Sequence, residues 1–457
     1  MKYTHRYLAR VILKAETALF VGSGETSLIK DALVQKDYLG FPMIPGTSLT
    51  GVLRHALTDH GKEELWKDFF GFQKKKSGKG SQVKISAAYF LLPNNQVPED
   101  LSAQTIPALQ YFTDLPSRQH VRISDKGVAV DQGLFENEVV YQGCRFIFEM
   151  ELKGDGNVIE KTQWQALLNQ LKNPLFRIGQ GTRNGYGQLS VESCKTSVFD
   201  LANKEKTDFQ DYLNFDPSFN ASDTCLLEEK ELSFDTTGLL HYQLALTPDS
   251  FFIFSSGYGD EEVDNQPIME DVLIYTGDTI SLEKRTLIPA SSIKGAISHR
   301  TCFHYNKEQK IHADEISSIK SVIGSNNEAV YQLFGAAAGT EDRDGQKGKV
   351  IINDLYYQDI DNSKILNHVA IDRFTGGALD GALFSEKVSH KKDPIILDIW
   401  IESIQLTASF QTALEKALMD ICKGLLPLGG MTTKGHGMFT GSLTLNGTKK
   451  YNYASSL

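Results

Sequence analysis

The chain has 457 residues, of which 41% are hydrophobic and 23% are charged, a balance typical of globular proteins. At roughly 100–200 residues per domain, this length predicts two to four domains. The 47 basic and 57 acidic residues give a net charge of −10, which excludes a polycation that binds nucleic acid through bulk charge. Any nucleic-acid site must therefore be a local basic patch.

Targeting segments and disulfides are not predicted. No apolar run is long enough to span a membrane, and Arg10, Lys14 and Glu16 interrupt the N-terminal apolar stretch. The five cysteines are dispersed and contain no CxxC pair, so neither a zinc knuckle nor a disulfide framework is indicated. We expect reduced, mostly buried thiols in a cytoplasmic protein.

An internal duplication organises the chain. Four segments recur in the same order: ETALFVGSG (16–24) and DSFFIFSSG (249–257), IPGTSLTGVLRH (44–55) and IPASSIKGAISHR (288–300), HVRISDKGVAVDQGLF (120–135) and HVAIDRFTGGALDGALF (368–384), and GQGTRNGYG (179–187) and GGMTTKGHG (429–437). This period is far too long for a solenoid. The pattern predicts two copies of one domain, 1–195 and 238–457. The polar stretch 196–237 is predicted to be a linker or an irregular wrap.

The elements of each copy follow one order. An alternating strand comes first, then a helix whose N-cap is Thr47 or Ser48 in one copy and Ser291 or Ser292 in the other. FFG (69–71) and LFG (333–335) are typical of helix ends that stop at glycine. Two further strands, a helix near 162–172 or 409–422, a Gly-rich turn and a last strand complete each copy. The order indicates an α+β fold with two tandem β-α-β-β-α-β, ferredoxin-like domains.

Two motifs in each copy have features that favour phosphate binding. The helix after each IP motif presents N–H groups and a positive dipole end, and Arg54, Lys294 and Arg300 lie on these helices. Spacing alone favours the plainer alternative, an ordinary capped helix. The Gly-rich turn carries Arg177 and Arg183, and its second copy carries Lys434. Such a turn either cradles phosphates or simply reverses the chain.

Other polar motifs are weaker. The lysine-rich run QKKKSGKG (73–80) is typical of a solvated, mobile loop more than of a nucleic-acid patch. His120 and His368 open the third repeat, and we expect structural roles for both. No zinc-hydrolase or deaminase motif occurs.

Asp31 follows Gly24 at the same distance at which Asp264 follows Gly257. A loop carboxylate can hold a metal or accept a proton, although most loop aspartates do neither. Composition alone would not select these two residues.

Taken together, the ordered motifs resemble the RAMP proteins, the RNA-binding subunits of CRISPR–Cas effector complexes. The similarity is greatest to the backbone subunits of type III complexes, which also carry an LFG element, an HVAIDRFTGGALDGALFSEKV-like segment and a closing Gly-rich turn. Because every motif occurs twice, the chain resembles a fused double backbone subunit of the type III-D branch. Only the stretch 196–237 lies outside this resemblance.

The resemblance implies a ferredoxin-like (RRM-like) palm in each half, whose helix grips the sugar-phosphate backbone of a guide RNA. It implies thumb hairpins that interrupt the guide–target duplex at regular intervals. The implied RNA contacts are Ser48, Arg54, Ser292, Lys294, Arg300, Arg177, Arg183 and Lys434. The implied thumb residues are Val121, Arg122, Ile123, Ile371, Asp372 and Arg373.

The resemblance also implies chemistry. Asp31 falls on the family's catalytic position and Asp37 on a second recurring aspartate, with target RNA cut by the adjacent 2′-hydroxyl in the presence of Mg²⁺ or another divalent cation. Asp31 and Asp264 are then the candidate metal ligands. The second copy departs from the pattern, because its loop is longer and Ala290 replaces a glycine. Asp264 matches by distance from the glycine, and Asp271 and Glu270 are rivals.

Three functions stay open. One is a guide-directed endoribonuclease subunit, and another is a scaffold that binds RNA without chemistry of its own. The weakest is a guide-processing nuclease, because such RAMP enzymes often use a catalytic histidine and none here matches. The expected partners are guide RNA, complementary target RNA and neighbouring effector subunits, with no membrane. Acidic surface outside the RNA groove is expected to face neighbouring subunits.

Overall fold

The structure is a computed structural model that describes residues 3–27, 30–59, 62–74, 77–99, 107–124, 128–203, 207–221, 226–337, 344–358, 363–403 and 406–453. The chain forms two compact units. The first comprises Met1–Thr182, Tyr186–Asp235 and Val272–Glu283, and the second comprises Arg183–Gly185, Thr236–Asp271 and Lys284–Leu457. Each half of the chain thus contributes one short segment to the unit built mainly from the other half.

The elements are numbered in chain order. The first half contains β1 (His5–Ala15), β2 (Met43–Ile44), α1 (Gly46–Thr58), α2 (Glu63–Phe70), β3 (Phe72–Lys74), β4 (Ser77–Lys79), β5 (Val83–Ile85), β6 (Ala88–Phe90), α3 (Gln110–Thr113), β7 (Ser117–Ile123), β8 (Ala129–Glu138), β9 (Arg145–Gly154), α4 (Val158–Asn169), β10 (Leu189–Asp200), α5 (Asp208–Asn214) and β11 (Glu228–Glu229).

The second half continues the same numbering. It contains β12 (Leu239–Pro248), β13 (Met269–Thr276), β14 (Thr279–Ile288), α6 (Ala290–Glu308), α7 (Glu328–Phe334), β15 (Gly335–Ala336), β16 (Gln346–Lys347), β17 (Val350–Ile352), β18 (Leu355–Tyr357), β19 (Ser363–Ile371), β20 (Ala378–Ser389), β21 (Ile395–Glu402), α8 (Ala408–Cys422), β22 (Phe439–Leu445) and β23 (Thr448–Asn452).

Both units contain the same antiparallel sheet. The strand order is β11-β10-β1-β9-β6-β2 in the first, with β5 also paired to β9, and β17-β21-β12-β22-β23 in the second. In each sheet the last palm strand lies beside the first, and the first lies beside the third. With one helix after the first strand and one before the last, this is the predicted tandem ferredoxin-like, α+β fold.

Buried side chains recur at every second position of the first strand of each sheet, and they form the centre of its hydrophobic core. Tyr7, Ala9, Val11 and Leu13 of β1 are buried in one hydrophobic cluster with residues of α1 and α4. Tyr242, Leu244 and Leu246 of β12 are buried in a second cluster with residues of α6 and α8. Successive strand residues point to opposite faces, so each sheet has an inner face under its helices and an outer face.

The FFG and LFG motifs end helices as predicted. α2 stops at Gly71 with φ 74°, and α7 stops at Gly335 with φ 80°. A Cβ on Gly335 would lie 2.3 Å from the carbonyl oxygen of Gln346. Both the left-handed backbone and this close approach require glycine at position 335.

The predicted helix caps were wrong. The N-caps of α1 and α6 are Pro45 and Pro289, and neither makes a side-chain cap. Ser48 and Ser292 instead lie inside the first turn, where their N–H groups donate to the carbonyls of these prolines at 2.9 and 3.1 Å. Proline fixes φ near the value that helix entry needs, which accounts for the earlier start.

The lysine-rich run is part of a short hairpin. Strand β3 pairs with β4, and Lys79 forms an ion pair with Asp68 at 2.9 Å. The prediction of a wholly mobile loop over 73–80 was therefore wrong for the strand residues. Lys75 and Lys76 lie outside the described residues.

The longer loop of the second half forms an arm, defined here as the hairpin β13–β14. Its tip residues Val272–Glu283 belong to the first compact unit. There the N–H of Leu273 donates to Gln142 at 2.8 Å, and the Tyr275 hydroxyl donates to Leu91 at 2.9 Å. Burial holds the pKa of Tyr275 well above its ordinary value.

The stretch 196–237, predicted to be a linker or an irregular wrap, belongs to the first unit up to Asp235, and its first five residues still belong to strand β10. Arg10 of β1 is 5% exposed and lies between the rings of Phe215 and Phe219. Its Nη1 donates to the carbonyl of Ser218 at 3.1 Å, and its Nη2 donates to Glu149 at 3.1 Å. We call the described residues 207–221 and 226–227 the wrap, because Phe215, Phe219 and Leu227 pack against Leu8 and Arg10 on the outer face of the first sheet.

The cysteines behave as predicted where they are described. Cys144, Cys194, Cys302 and Cys422 are free and buried, and burial raises the pKa of each thiol. Cys225 lies outside the described residues. Within the described ranges, no helix has the length and apolar character that crossing a membrane requires.

We predict opposite stability changes for two Gly→Ala substitutions. G335A must place a Cβ in a left-handed conformation against a backbone oxygen, and such strain costs about 1–3 kcal/mol. G295A in α6 meets no atom within 4 Å and should stabilise by up to about 1 kcal/mol. Urea unfolding monitored by circular dichroism measures both. A G335A variant as stable as the wild type would contradict the assigned geometry.

Candidate nucleic-acid interface

Asp31 lies where the loop between β1 and β2 meets the long hairpin β7–β8. Its N–H donates to the carbonyl of Glu136 at 3.0 Å, and its Oδ2 accepts the N–H of Glu136 at 2.8 Å. The residue is exposed. Among the described residues nothing is hydrogen-bonded to Oδ1, which leaves that oxygen available to a ligand.

Asp264 lies in the equivalent place beside the long hairpin β19–β20. Its N–H donates to the carbonyl of Ser385 at 3.0 Å. Its Oδ2 accepts the N–H of Ser385 at 2.7 Å and the Ser385 hydroxyl at 2.9 Å. These two bonds, the backbone bond first, hold the pKa of Asp264 below its ordinary value.

The two aspartates are related by the duplication in three dimensions. Next to them, Ala32 bridges to Asn137 and Asn265 bridges to Glu386, both in the parallel sense. The rivals lie elsewhere, because Glu270 and Asp271 belong to strand β13, where Glu270 accepts the hydroxyl of Tyr356 at 3.0 Å. The geometry therefore pairs Asp264 with Asp31.

Asp37 has a different environment. Its Oδ1 accepts the N–H groups of Leu39 and Phe41, each at 2.9 Å. Burial raises the pKa of Asp37 although these bonds oppose the shift. Its carboxylate stabilises a turn and faces inward, unlike that of Asp31.

Both long hairpins, where the sequence predicts the thumbs, expose apolar side chains. Val121 pairs with Leu134 in one, and Val369 pairs with Leu383 in the other. Ile123 and Ile371 are also exposed, as is Arg373, whereas the side chain of Arg122 lies outside the described part. These pairs make an apolar surface on each hairpin beside its aspartate.

Asp372 shapes the tip of the second hairpin. Its Oδ1 accepts the N–H of Phe374 at 3.0 Å, and its Oδ2 accepts the Thr375 hydroxyl at 2.7 Å. These bonds lower the pKa of Asp372. Phe374 is consequently held 99% exposed at the tip.

A histidine connects each long hairpin to the closing turn, which we define as residues 178–187 and 428–437. In the first copy, His120 Nε2 lies 2.5 Å from the Tyr186 hydroxyl. In the second, His368 and His436 lie 2.7 and 3.0 Å from Oε1 of the fully buried Glu386. The contacts match the structural roles predicted for His120 and His368.

The second IP helix, α6, offers fewer free N–H groups than the sequence predicts. The N–H of Ala290, at the start of α6, donates to Oδ1 of the buried Asp354 at 2.8 Å. A protein carboxylate thus already occupies the positive end of this helix. Phosphate recognition there must rely on side chains.

Two cations lie close together near that helix. Arg183 and Lys294 are both half-buried, and Arg183 Nε donates to the carbonyl of Gly348 at 2.7 Å. Burial, with the neighbouring positive charge of Arg183, lowers the pKa of Lys294 to about 8. Burial likewise lowers the pKa of Arg183 to about 10. The negative charge of Glu402 opposes the shift of Arg183, and an added anion stabilises both charged forms in the same way.

The remaining predicted cations divide into available and engaged groups. The guanidinium group of Arg54 has no hydrogen bond or ion pair with other described residues, and Lys434 is exposed above the ring of Phe384. Arg300 is ion-paired with the buried Asp420 at 2.5 Å. Arg177 is 5% exposed and donates to the carbonyls of Pro174 and Phe176. Arg177 and Arg300 therefore serve the fold.

Three residues of this region were not assigned a role from the sequence. Ser385 and Glu386 directly follow the repeat that ends at Phe384, but the matching positions of the first copy are Glu136 and Asn137, so the repeat gives no signal for them. No sequence motif marks Asp354, because its contact with Ala290 arises only when the chain folds.

The fold and the paired loops define a class of protein, with two ferredoxin-like domains and one aspartate beside a long hairpin in each. The sequence profile of the RAMP superfamily matches residues 12–190 and 270–440, which make up most of the chain. The chain belongs to the RAMP superfamily, whose members are CRISPR-associated RNA-binding proteins of multi-subunit complexes. No curated protein matches the chain significantly.

We predict that S385A raises the pKa of Asp264. The substitution removes the hydroxyl that donates to Oδ2 and leaves the backbone N–H in place. Carboxyl ¹³C titration by NMR measures the shift, which should be upward and partial. Asp260, whose pKa is lowered by the N–H groups of Glu262 and Val263, is the internal control. An unchanged Asp264 titration would show that the hydroxyl does not reach the carboxylate.

Proposed function

We propose that the chain is a guide-RNA-binding backbone subunit of a type III CRISPR effector complex and that it cleaves complementary target RNA at spaced positions. Asp31 and Asp264 are the carboxylates of the two cuts. The observation that carries this proposal is that both aspartates are exposed and bonded through Oδ2 to the same position of a long hairpin.

The hairpins supply the geometry that such cuts need. Each aspartate is fixed by two backbone bonds to a paired strand, so its free oxygen has a defined position. The exposed Val121–Leu134 and Val369–Leu383 pairs give a displaced nucleotide an apolar surface. The carboxylate then orients or deprotonates the neighbouring 2′-hydroxyl, a group that RNA has and DNA lacks.

Mg²⁺ or another divalent cation is part of this proposal. No group of three His, Cys, Asp or Glu residues in the described ranges can hold a metal ion. Mg²⁺ does not need one, because it usually keeps several waters and binds one or two carboxylates together with phosphates. Asp31 and Asp264 fit this mode through Oδ1. The cation supplies charge neutralisation at the reacting phosphate.

The guide RNA contacts in this proposal are the available cations. Arg54 serves the first domain, while Arg183, Lys294 and Lys434 lie near the second helix or the second closing turn. Arg177 and Arg300 are omitted because their guanidinium groups are engaged within the protein. An acidic chain can still bind RNA strongly when such a groove follows the backbone, and the affinity then falls with salt.

A scaffold without chemistry is the second candidate. It is favoured by the lack of a multidentate metal group in the described part of the chain. In that case the two aspartates only fix the hairpins, and other subunits carry the cuts.

Cleavage by each domain is tested in the reconstituted complex with labelled target RNA, with Mg²⁺ and with chelator. We expect D31A and D264A each to remove a different band, with a loss of about 10²–10⁴-fold at that position. D271A, in strand β13, is the matched control and should keep every band. If both variants retain the wild-type pattern while binding RNA normally, the scaffold is correct.

Lys294 gives a pH-dependent test of guide binding. Its pKa of about 8 lies below the ordinary lysine value, so its charge is present below pH 8 and is lost as the pH rises above it. We expect guide affinity to fall between pH 7 and 9 in the wild type and to stay flatter in K294R, which keeps its charge.

Filter binding at constant ionic strength measures this effect. K294M should also reduce the slope of log affinity against log salt by about 1, the loss of one phosphate contact. A K294M variant with the wild-type salt slope would remove Lys294 from the RNA contacts.

A further inference from the structure

The outer faces of the two palm sheets can be compared residue by residue. In the first sheet, β1 and β9 place Leu8 opposite Glu151, Arg10 opposite Glu149, and Ile12 opposite Ile147. In the second, β12 and β21 place His241 opposite Trp400, Gln243 opposite Asp398, and Ala245 opposite Ile396. The duplication makes these pairs equivalent, because both registers start from matching strands.

The wrap and a neighbouring loop cover the outer face of the first sheet. Leu8 is buried with Phe199 and Leu227, and Ile147 is buried with Leu91 and Val97. The Tyr212 hydroxyl of the wrap donates to Glu151 at 3.2 Å. Arg10 binds the wrap through carbonyl oxygens and stays paired with Glu149.

The same region of the second sheet is open. Ile396 is 42% exposed, whereas its counterpart Ile147 is 5% exposed. After β22 the chain continues as β23, which pairs at the sheet edge. At the far edge Ile351 is buried, so the open area centres on β12 and β21.

The middle of the outer face carries a basic residue in the first sheet but not at the matching position of the second. Glu149 has the guanidinium of Arg10, but its counterpart Asp398 faces Gln243, which replaces that arginine. Asp398 accepts from Gln243 at 3.0 Å and lies 2.7 Å from His241 Nε2. Lys449 of the edge strand β23 lies beyond Thr444. The centre of the open face thus holds a partly exposed carboxylate without a permanent cation among its hydrogen-bond partners.

An aromatic stack borders this carboxylate. The rings of His241 and Trp400 are 4.0 Å apart and tilted by only 6°. The imidazole covers one face of the indole, so an arginine or lysine side chain gains an ion pair with Asp398 and a cation–π contact with the partly exposed remainder of the stack. The exposed Ile396 offers apolar area beside it.

We propose that this outer face, formed by His241, Gln243, Asp398, Trp400 and Ile396, binds a protein segment of a neighbouring subunit. The segment carries an arginine or lysine flanked by apolar or aromatic side chains, and it covers the second sheet as the wrap covers the first. Its cation replaces the guanidinium that Arg10 supplies in the first domain. RNA suits the site less well, because Asp398 repels phosphate.

The proposal is tested in the assembled complex with a photo-crosslinking benzoylphenylalanine at position 396. We expect a crosslink to one protein segment that contains a basic residue next to apolar ones, and a loss of at least five-fold in yield with D398N. The same probe at position 425, where Leu425 is exposed elsewhere in the second unit, is the control. A crosslink to RNA, or a yield no higher than at position 425, would overturn the proposal.

A second measurement uses a defined probe and the full chain. The peptide acetyl-Gly-Phe-Arg-Phe-Gly-amide should change the fluorescence of Trp400, because Trp66 and Trp164 are buried. We expect D398N to weaken binding at least five-fold and the W400F variant to abolish the signal. A peptide with glutamate in place of arginine should not bind. Equal binding of both peptides would overturn the charge argument, and oligouridine in their place tests RNA directly.

Discussion

Reciprocal backbone pairing between a loop and a hairpin is the interaction on which both candidate sites depend. Each aspartate donates its N–H to a hairpin carbonyl and accepts the N–H of the same hairpin residue with a carboxylate oxygen, as a neighbouring strand residue would. The hairpin residue is Glu136 in one copy and Ser385 in the other. Each such bond is weak at an exposed carboxylate, yet two of them fix the direction of the free oxygen. The ferredoxin-like palm positions the loop and the hairpin, and this pairing orients the carboxylate of the aspartate.

The sequence predicted the features that depend on local pattern. Alternation located β1 and β12, and the glycines of FFG and LFG marked helix ends because residues 71 and 335 need positive φ. The duplication indicated two domains, whereas distance from a glycine matched Asp264 to Asp31 but left Asp271 and Glu270 as rivals. These features were predictable because each depends on residues that are close to it in the sequence.

Contacts between distant parts of the chain were not predictable. The carboxylate of Asp354 at the N-terminus of α6, the engagement of Arg300 by Asp420, and the burial of Glu386 between two histidines all arise from packing. The caps were missed for a different, local reason, since proline at positions 45 and 289 starts the helix before the serines can cap it. A local sequence preference does not determine the structure where a tertiary contact provides a stronger interaction.

The exchange of short segments between the halves has a consequence for biosynthesis. The first compact unit needs residues 272–283, and its core includes Leu273. A ribosome must therefore translate the first strand of the second domain and most of the arm before the first unit can close its core. Domains usually fold one after the other as they emerge, but here the order is interleaved. Until then, the surface that receives Leu273 stays exposed on the nascent chain, where a chaperone can bind it.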